Sequence, residues 1–132
     1  MEPFAFEVLL DEGYDEAVDR VTAALKDEGF GVITRIDVKA TIKDRLGEDF
    51  RPYVILGACN PPLAHRALLS EPTVGVMLPC NVTVEQCGTG SRVLIANPVS
   101  MMSVADLFEN PALRAVADEA ATRLRRVADA LR

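Results

Sequence analysis

The stretch TVGVMLPCNVTVEQCGTGSRVLIA, residues 73–96, decides how the middle of the chain folds. Residues 73–78 and 81–86 are both strand-like in composition, and only Pro79 and Cys80 separate them. A two-residue hairpin needs glycine or asparagine at its centre to reach positive φ, and neither is present there. The segment is therefore expected to be one long strand, residues 73–86, bent at Pro79, because proline removes a ladder donor and belongs at edges and bends. The hairpin turn is CGTG, residues 87–90, leading into a last strand over residues 92–96.

Upstream, Phe4, Phe6, Val8 and Leu10 alternate as one face of a first strand. Tyr14, Val18, Val21 and Leu25 then recur at helical spacing, with Gly29 as the stop. Phe30, Val32, Thr34, Ile36 and Val38 share the face of a second strand, followed by the helical KATIKDRLG ending at Gly47. Residues 51–58 form a third strand bounded by Pro52 and the CNPP turn, and a helix starts at Asn60 or Pro61. Far downstream, Asn110 caps and Pro111 opens a long helix whose stripe is Leu113, Val116, Ala117, Ala120, Leu124, Val127 and Leu131. The order strand, helix, four further strands with short helical inserts, and final helix makes an α+β fold with helices packed on a mostly antiparallel sheet.

The 132 residues, 49% of them hydrophobic, suit one domain over residues 1–132 with a single core. A formal charge of −6 argues against nucleic acid and against an anionic membrane surface, since both would be repelled. The opening MEPFAFEVLL reads as a strand, having no basic region before its apolar residues, and no apolar run has the length of a membrane span. Three cysteines are too few and too scattered for a disulfide framework, so a reducing cytoplasm is the expected compartment.

The block GFGVITRIDVKATIKDRLGEDFRPYVILGACNPPLAHRALLSEPTVGVMLPCNVTV, residues 29–84, resembles the prokaryotic family known as domain of unknown function 302. The Gly-Phe-Gly-Val opening, Asp-Val-Lys-Ala-Thr, Leu-Gly-Ala-Cys-Asn-Pro-Pro and Leu-Pro-Cys-Asn carry the match. The resemblance implies a small TATA-binding-protein-like α+β domain, strand, helix, four strands, helix. It implies no settled activity and supplies no catalytic residues.

Chemistry concentrates in CNPPLAH, residues 59–65. Asn60 can cap the helix, Pro61 fits its first position, and Cys59 stands just before the positive end of the helix dipole. There its thiolate is favoured, which makes Cys59 the expected most reactive thiol, and His65, one turn in, could face the same mouth. The plainer alternative is a buried small Cys59 and a surface His65. Cys80 shares parity with Val82 and Val84 and is expected to face the core.

A Cys₃His zinc site from Cys59, His65, Cys80 and Cys87 is not expected, because the paired knuckles are missing and Cys80 and Cys87 lie roughly 23 Å apart on an extended strand. No metal, cofactor or disulfide is expected. The smaller soft set Cys59, His65 and Cys80, with Met101 or Met102, would suit Cu(I) or haem-like chemistry only if the strands flanking the CNPP helix were parallel. The antiparallel arrangement that the resemblance favours leaves Cys59 near Thr73, some six residues short of Cys80, so the pair is discounted. Lys39 and Lys43, a turn apart and near Arg35 and Arg51, could hold a carboxylate or phosphate, although a solvated face is the commoner outcome.

These residues support a cytoplasmic homodimer that binds a small molecule at the CNPP segment through Cys59, Asn60, His65, Lys39, Lys43 and Cys80. The alternatives are a thiol or sulfur-chemistry enzyme with Cys59 as nucleophile and His65 as base, and a structural assembly domain.

Overall fold

The computed structural model describes residues 2–104 and 106–132. In chain order it comprises β1 (Ala5–Leu10), α1 (Tyr14–Asp27), β2 (Gly31–Asp37), α2 (Val38–Leu46), β3 (Tyr53–Cys59) and α3 (Pro61–Ser70). A 3₁₀ turn over Pro72–Met77 follows, then β4 (Cys80–Cys87), β5 (Gly90–Ala96), the short α4 (Pro98–Met101), a second 3₁₀ turn (Leu107–Glu109) and α5 (Pro111–Leu131). The five strands form one sheet in the order β1-β5-β4-β3-β2, with every neighbouring pair antiparallel.

Alternation gives the sheet one dry face. Phe6, Ile95, Val82 and Leu56 pair across it in one row, and Val8, Val93, Val84 and Val54 in the next. All eight are buried beneath the helices. Onto them α1 sets Val18, Val21 and Leu25, and α5 sets the whole stripe read from the sequence, from Leu113 to Leu131. At roughly 1.5–3 kcal/mol for each large apolar side chain removed from water, this layer holds α5 in place.

The caps follow the residue chemistry. Asn110 Oδ1 accepts the N–H groups of Ala112 and Leu113 at 3.0 and 3.2 Å, while its Nδ2 donates to the Ser70 carbonyl at 3.3 Å, joining the start of α5 to the end of α3. Asp37 caps α2 through Ala40 N–H at 2.9 Å, and Gly47 ends that helix at φ 68°. The β4–β5 hairpin closes on the pair Cys87 and Gly90 around Gly88 and Thr89, where the sequence places it.

Three local expectations are corrected. Residues 73–77 are not the first half of a bent strand: Pro72, which has no N–H to give a ladder, opens a 3₁₀ turn, and β4 begins only at Cys80. Val74 is fully buried there and Val76 is 90% exposed, so the apparent alternation is a plug and a solvent-facing neighbour. In β2, Val32 pairs with Ala58 but Thr34 pairs with Gly57, which leaves Ile33 as the extra residue of a bulge. That one-residue slip turns Thr34 and Ile36 to the opposite face from Val32. Phe4 precedes β1 and is 73% exposed, outside the strand pattern it was expected to start.

The face away from the helices carries Leu9, Leu94, Ile55 and Ile36, of which Leu9 and Ile36 are exposed. Arg92 pairs with Glu7 at 2.6 Å and Arg51 with Glu85 at 3.2 Å on the same side.

Truncating the centre of the α5 stripe tests this packing. Leu124→Ala should lower unfolding free energy by about 2–5 kcal/mol in chemical denaturation, since a fully buried leucine leaves a cavity as well as losing transfer energy. A loss under about 1 kcal/mol would show that α5 is not part of the core.

Candidate functional site

The site grows from the end of β3. Antiparallel pairing sets Ala58 opposite Cys80, so Cys59 leaves β3 one residue past the position where β4 begins. The sequence expectation that an antiparallel arrangement parts the two cysteines is overturned, and the cause is the 3₁₀ turn. It absorbs residues 72–77 before the strand starts, so the partner strand meets Ala58 with Cys80 instead of with Thr73.

Asn60, buried at the turn into α3, accepts Leu63 N–H at 3.2 Å through Oδ1, and Pro61 takes the first helical position. Its amide nitrogen packs on Gly29: a Cβ at that residue, which has φ 84°, would stand 2.9 Å from Nδ2. Gly57 is held to glycine more tightly still, because a Cβ there would run into the Thr34 side chain and within 2.8 Å of the Pro79 ring. The backbones of β2, β3 and the approach to β4 therefore close together beside the two cysteines.

Behind this junction lies a cavity of about 320 Å³ whose wall includes Phe30, Cys59, Asn60, Leu63, Cys80 and Met102. The bulged Ile33, 62% exposed, stands at its rim, as does the part-exposed Leu68 of α3. A bulge beside a pocket re-aims a side chain in this way. Among the described residues, no Asp, Glu, Lys, Arg or His lines the cavity.

The sequence candidates are thus divided. Cys59, Asn60 and Cys80 share the cavity wall. His65 is exposed on α3 and is not in that wall. Lys43 is exposed and pairs with Asp49 at 3.1 Å. Lys39 belongs to a separate polar cleft of about 560 Å³ with Tyr14, Asp15, Glu16 and Asp37. Burial, helped by the Asp37 charge, raises the Tyr14 phenol above its usual range there. Sequence reading did not include Phe30, Ile33 or Leu68 in the site. Phe30 was discernible as a large apolar residue beside a positive-φ glycine, whereas the aim of Ile33 depends on a bulge that the alternation conceals.

Burial pushes the Cys80 thiol up to about 11, and the neighbouring Cys59 adds to the shift. Cys59, expected to be the most reactive thiol from its place before the helix, is half-buried, and Cys87 is exposed. No group of three or more His, Cys, Asp or Glu side chains is placed to hold a metal ion among the described residues. No helix among them is long and apolar enough to cross a membrane.

The family described as Domain of unknown function DUF302 matches residues 6–131. The chain belongs to that family. A DUF302 chain of solved structure, the crystal structure of an uncharacterized conserved protein from Bacillus stearothermophilus, superposes with a TM-score of 0.87 at 32% identity. The alignment covers 99% of this chain and 100% of that one, so the DUF302 fold here extends over the sheet and the helices. No curated protein matches the chain.

Cys80 should be the slowest thiol to alkylate. With its pKa near 11 the thiolate fraction at pH 8 is about 10⁻³, and the rate should climb about tenfold per pH unit toward pH 10. Mass spectrometry of iodoacetamide adducts across that range checks it; a Cys80 as fast as Cys87 at pH 8 would contradict the burial.

Proposed function

We propose that this DUF302 chain is a binding module for a small, uncharged and largely apolar molecule, held in the cavity behind the CNPP segment. The cavity carries the reading. Its volume of about 320 Å³ is within the range of small-molecule sites, and among the described residues its aliphatic and aromatic wall offers Asn60 and two thiols as polar side chains. A carboxylate or phosphate ligand would be desolvated there without a cationic partner, which costs several kcal/mol. The role expected of Lys39, Lys43 and His65 is therefore not carried into this proposal, and a Cys59 enzyme has no imidazole base at the cavity.

An uncharged fluorescent probe, N-phenyl-1-naphthylamine, tests the reading. It should bind with one site per chain, and Ala64→Phe, which fills the wall from α3, should weaken binding about tenfold or more while leaving the far-ultraviolet dichroism unchanged. Equal binding by both proteins would place the probe elsewhere and end the proposal.

A homodimer is the second part of the proposal, and the helix-free face supports it. Leu94, Ile55 and Ile36 share one row of that face with Thr83, whose Oγ1 is buried with no hydrogen-bond partner, and Leu9 stands in the next row beside the Glu7–Arg92 ion pair. Two such faces can stack about 10 Å apart around a two-fold axis, each covering the other. Sedimentation should give a dimer that Leu94→Glu converts to a folded monomer; a wild-type monomer at high micromolar concentration would refute it.

The finer family expectation, a TATA-binding-protein-like arrangement, is supported by the order β1, α1, β2, β3, β4, β5, α5 that remains when the short helices are set aside. One core cluster and a family match over residues 6–131 support treating residues 1–132 as one domain. The three free cysteines fit the reducing cytoplasm proposed for it.

A further inference from the structure

The sequence holds three cysteines and four methionines, and five of these seven sulfur-bearing side chains surround two adjoining cavities. Cys59, Cys80 and Met102 line the larger; Cys80, Met77, Met101 and Met102 line a smaller one of about 70 Å³. Cys80 and Met102, with Pro79 and Pro98, belong to both and so form the partition between them. Four separate parts of the fold deliver these sulfurs: the end of β3, the start of β4, the 3₁₀ turn and the end of α4. Among the described residues, neither wall contains a carboxylate or an imidazole.

We propose that this partition is a site for a monovalent d¹⁰ metal ion, Cu(I), held by the thiolates of Cys59 and Cys80 with the Met102 thioether as third donor. The chemistry of the donors selects the ion. Magnesium and calcium need oxygen ligands, and zinc needs four ligands of a kind that only two residues here supply, whereas Cu(I) is satisfied by two or three soft sulfurs. Cys59 ends β3 one residue past Ala58, the residue that pairs with Cys80 at the start of β4, and both cysteines stand in one cavity wall, near enough for two sulfurs to share an ion. Binding one Cu(I) releases one proton from each thiol, with no change of oxidation state, and the complex carries a single negative charge. The N-terminus of α3, whose first residue is Pro61, lies beside Cys59 and offsets that charge. The proposal uses the same cavity as the small-molecule reading but does not depend on it.

Anaerobic titration of the full chain with Cu(I) presented as its bathocuproine disulfonate complex tests the site. One Cu(I) should transfer per chain with release of two protons, and equimolar Zn(II) should not compete. Cys59→Ser and Cys80→Ser should each weaken binding about 100-fold and Met102→Leu about tenfold, while Cys87→Ser should match the wild type. Circular dichroism checks that each variant is folded; should Cys80→Ser fail to fold, Cys59→Ser and Met102→Leu decide. Failure of the folded wild type to take Cu(I) from the chelator, or retention in the Cys59→Ser and Met102→Leu variants, would overturn the proposal. Naphthylamine binding that persists in the face of such a failure would leave the small-molecule reading standing alone.

Discussion

The antiparallel pairing of β3 with β4, and in particular the register that sets Ala58 against Cys80, organises the rest of the molecule. Shifting it by one residue would turn Val82 and Val84 out of the dry face and bring Glu85 and Thr83 under the helices. The same register fixes where the chain must go between the two strands. Residues 61–77 leave the sheet as α3 and a 3₁₀ turn, and that excursion supplies Leu63, Ala64, Ala67, Leu68 and Gly75 to the cavity wall beside α5. Cys59 and Cys80 share one cavity wall because the strands meet there.

Space remains in an otherwise close-packed core for identifiable reasons. The strands close tightly at Gly57, where Thr34 and Pro79 leave no room for a Cβ, and again at Gly29 beside Asn60. Past these contacts α3 and α5 bring three small residues, Ala64, Ala67 and Ala120, into the wall among the larger Leu63, Leu68 and Val116. Alanine at facing positions leaves volume that leucine would occupy. A bulge aims Ile33 over the rim instead of into the sheet. A void of this kind withholds packing energy from the fold, and an apolar occupant would restore it.

Much of this was legible from residue pattern. The α5 stripe, the Asn60 and Asn110 caps, the Gly47 stop and the CGTG turn each rest on local chemistry, and local chemistry is what a sequence carries most directly. Residues 73–77 misled because Val74 and Val76 alternate as well in a 3₁₀ turn as in a strand; only tertiary packing, which buries one and exposes the other, tells them apart. The β2 bulge was hidden for the same reason, since Val32, Thr34 and Ile36 keep strand spacing on either side of an inserted Ile33. The candidate site suffered from the first of these errors. A strand begun at Thr73 separates the cysteines, and one begun at Cys80 joins them.

The register is therefore the measurement to make. In a nuclear Overhauser spectrum of the folded chain, backbone protons of Ala58 should show cross-strand contacts to Cys80, and Leu56 to Val82, with Cys59 and Cys80 β-protons close enough to give a cross-peak. Contacts from Ala58 to Thr73, or none between the Cys59 and Cys80 side chains, would contradict the account, because the cavity would then lose the junction from which it is built.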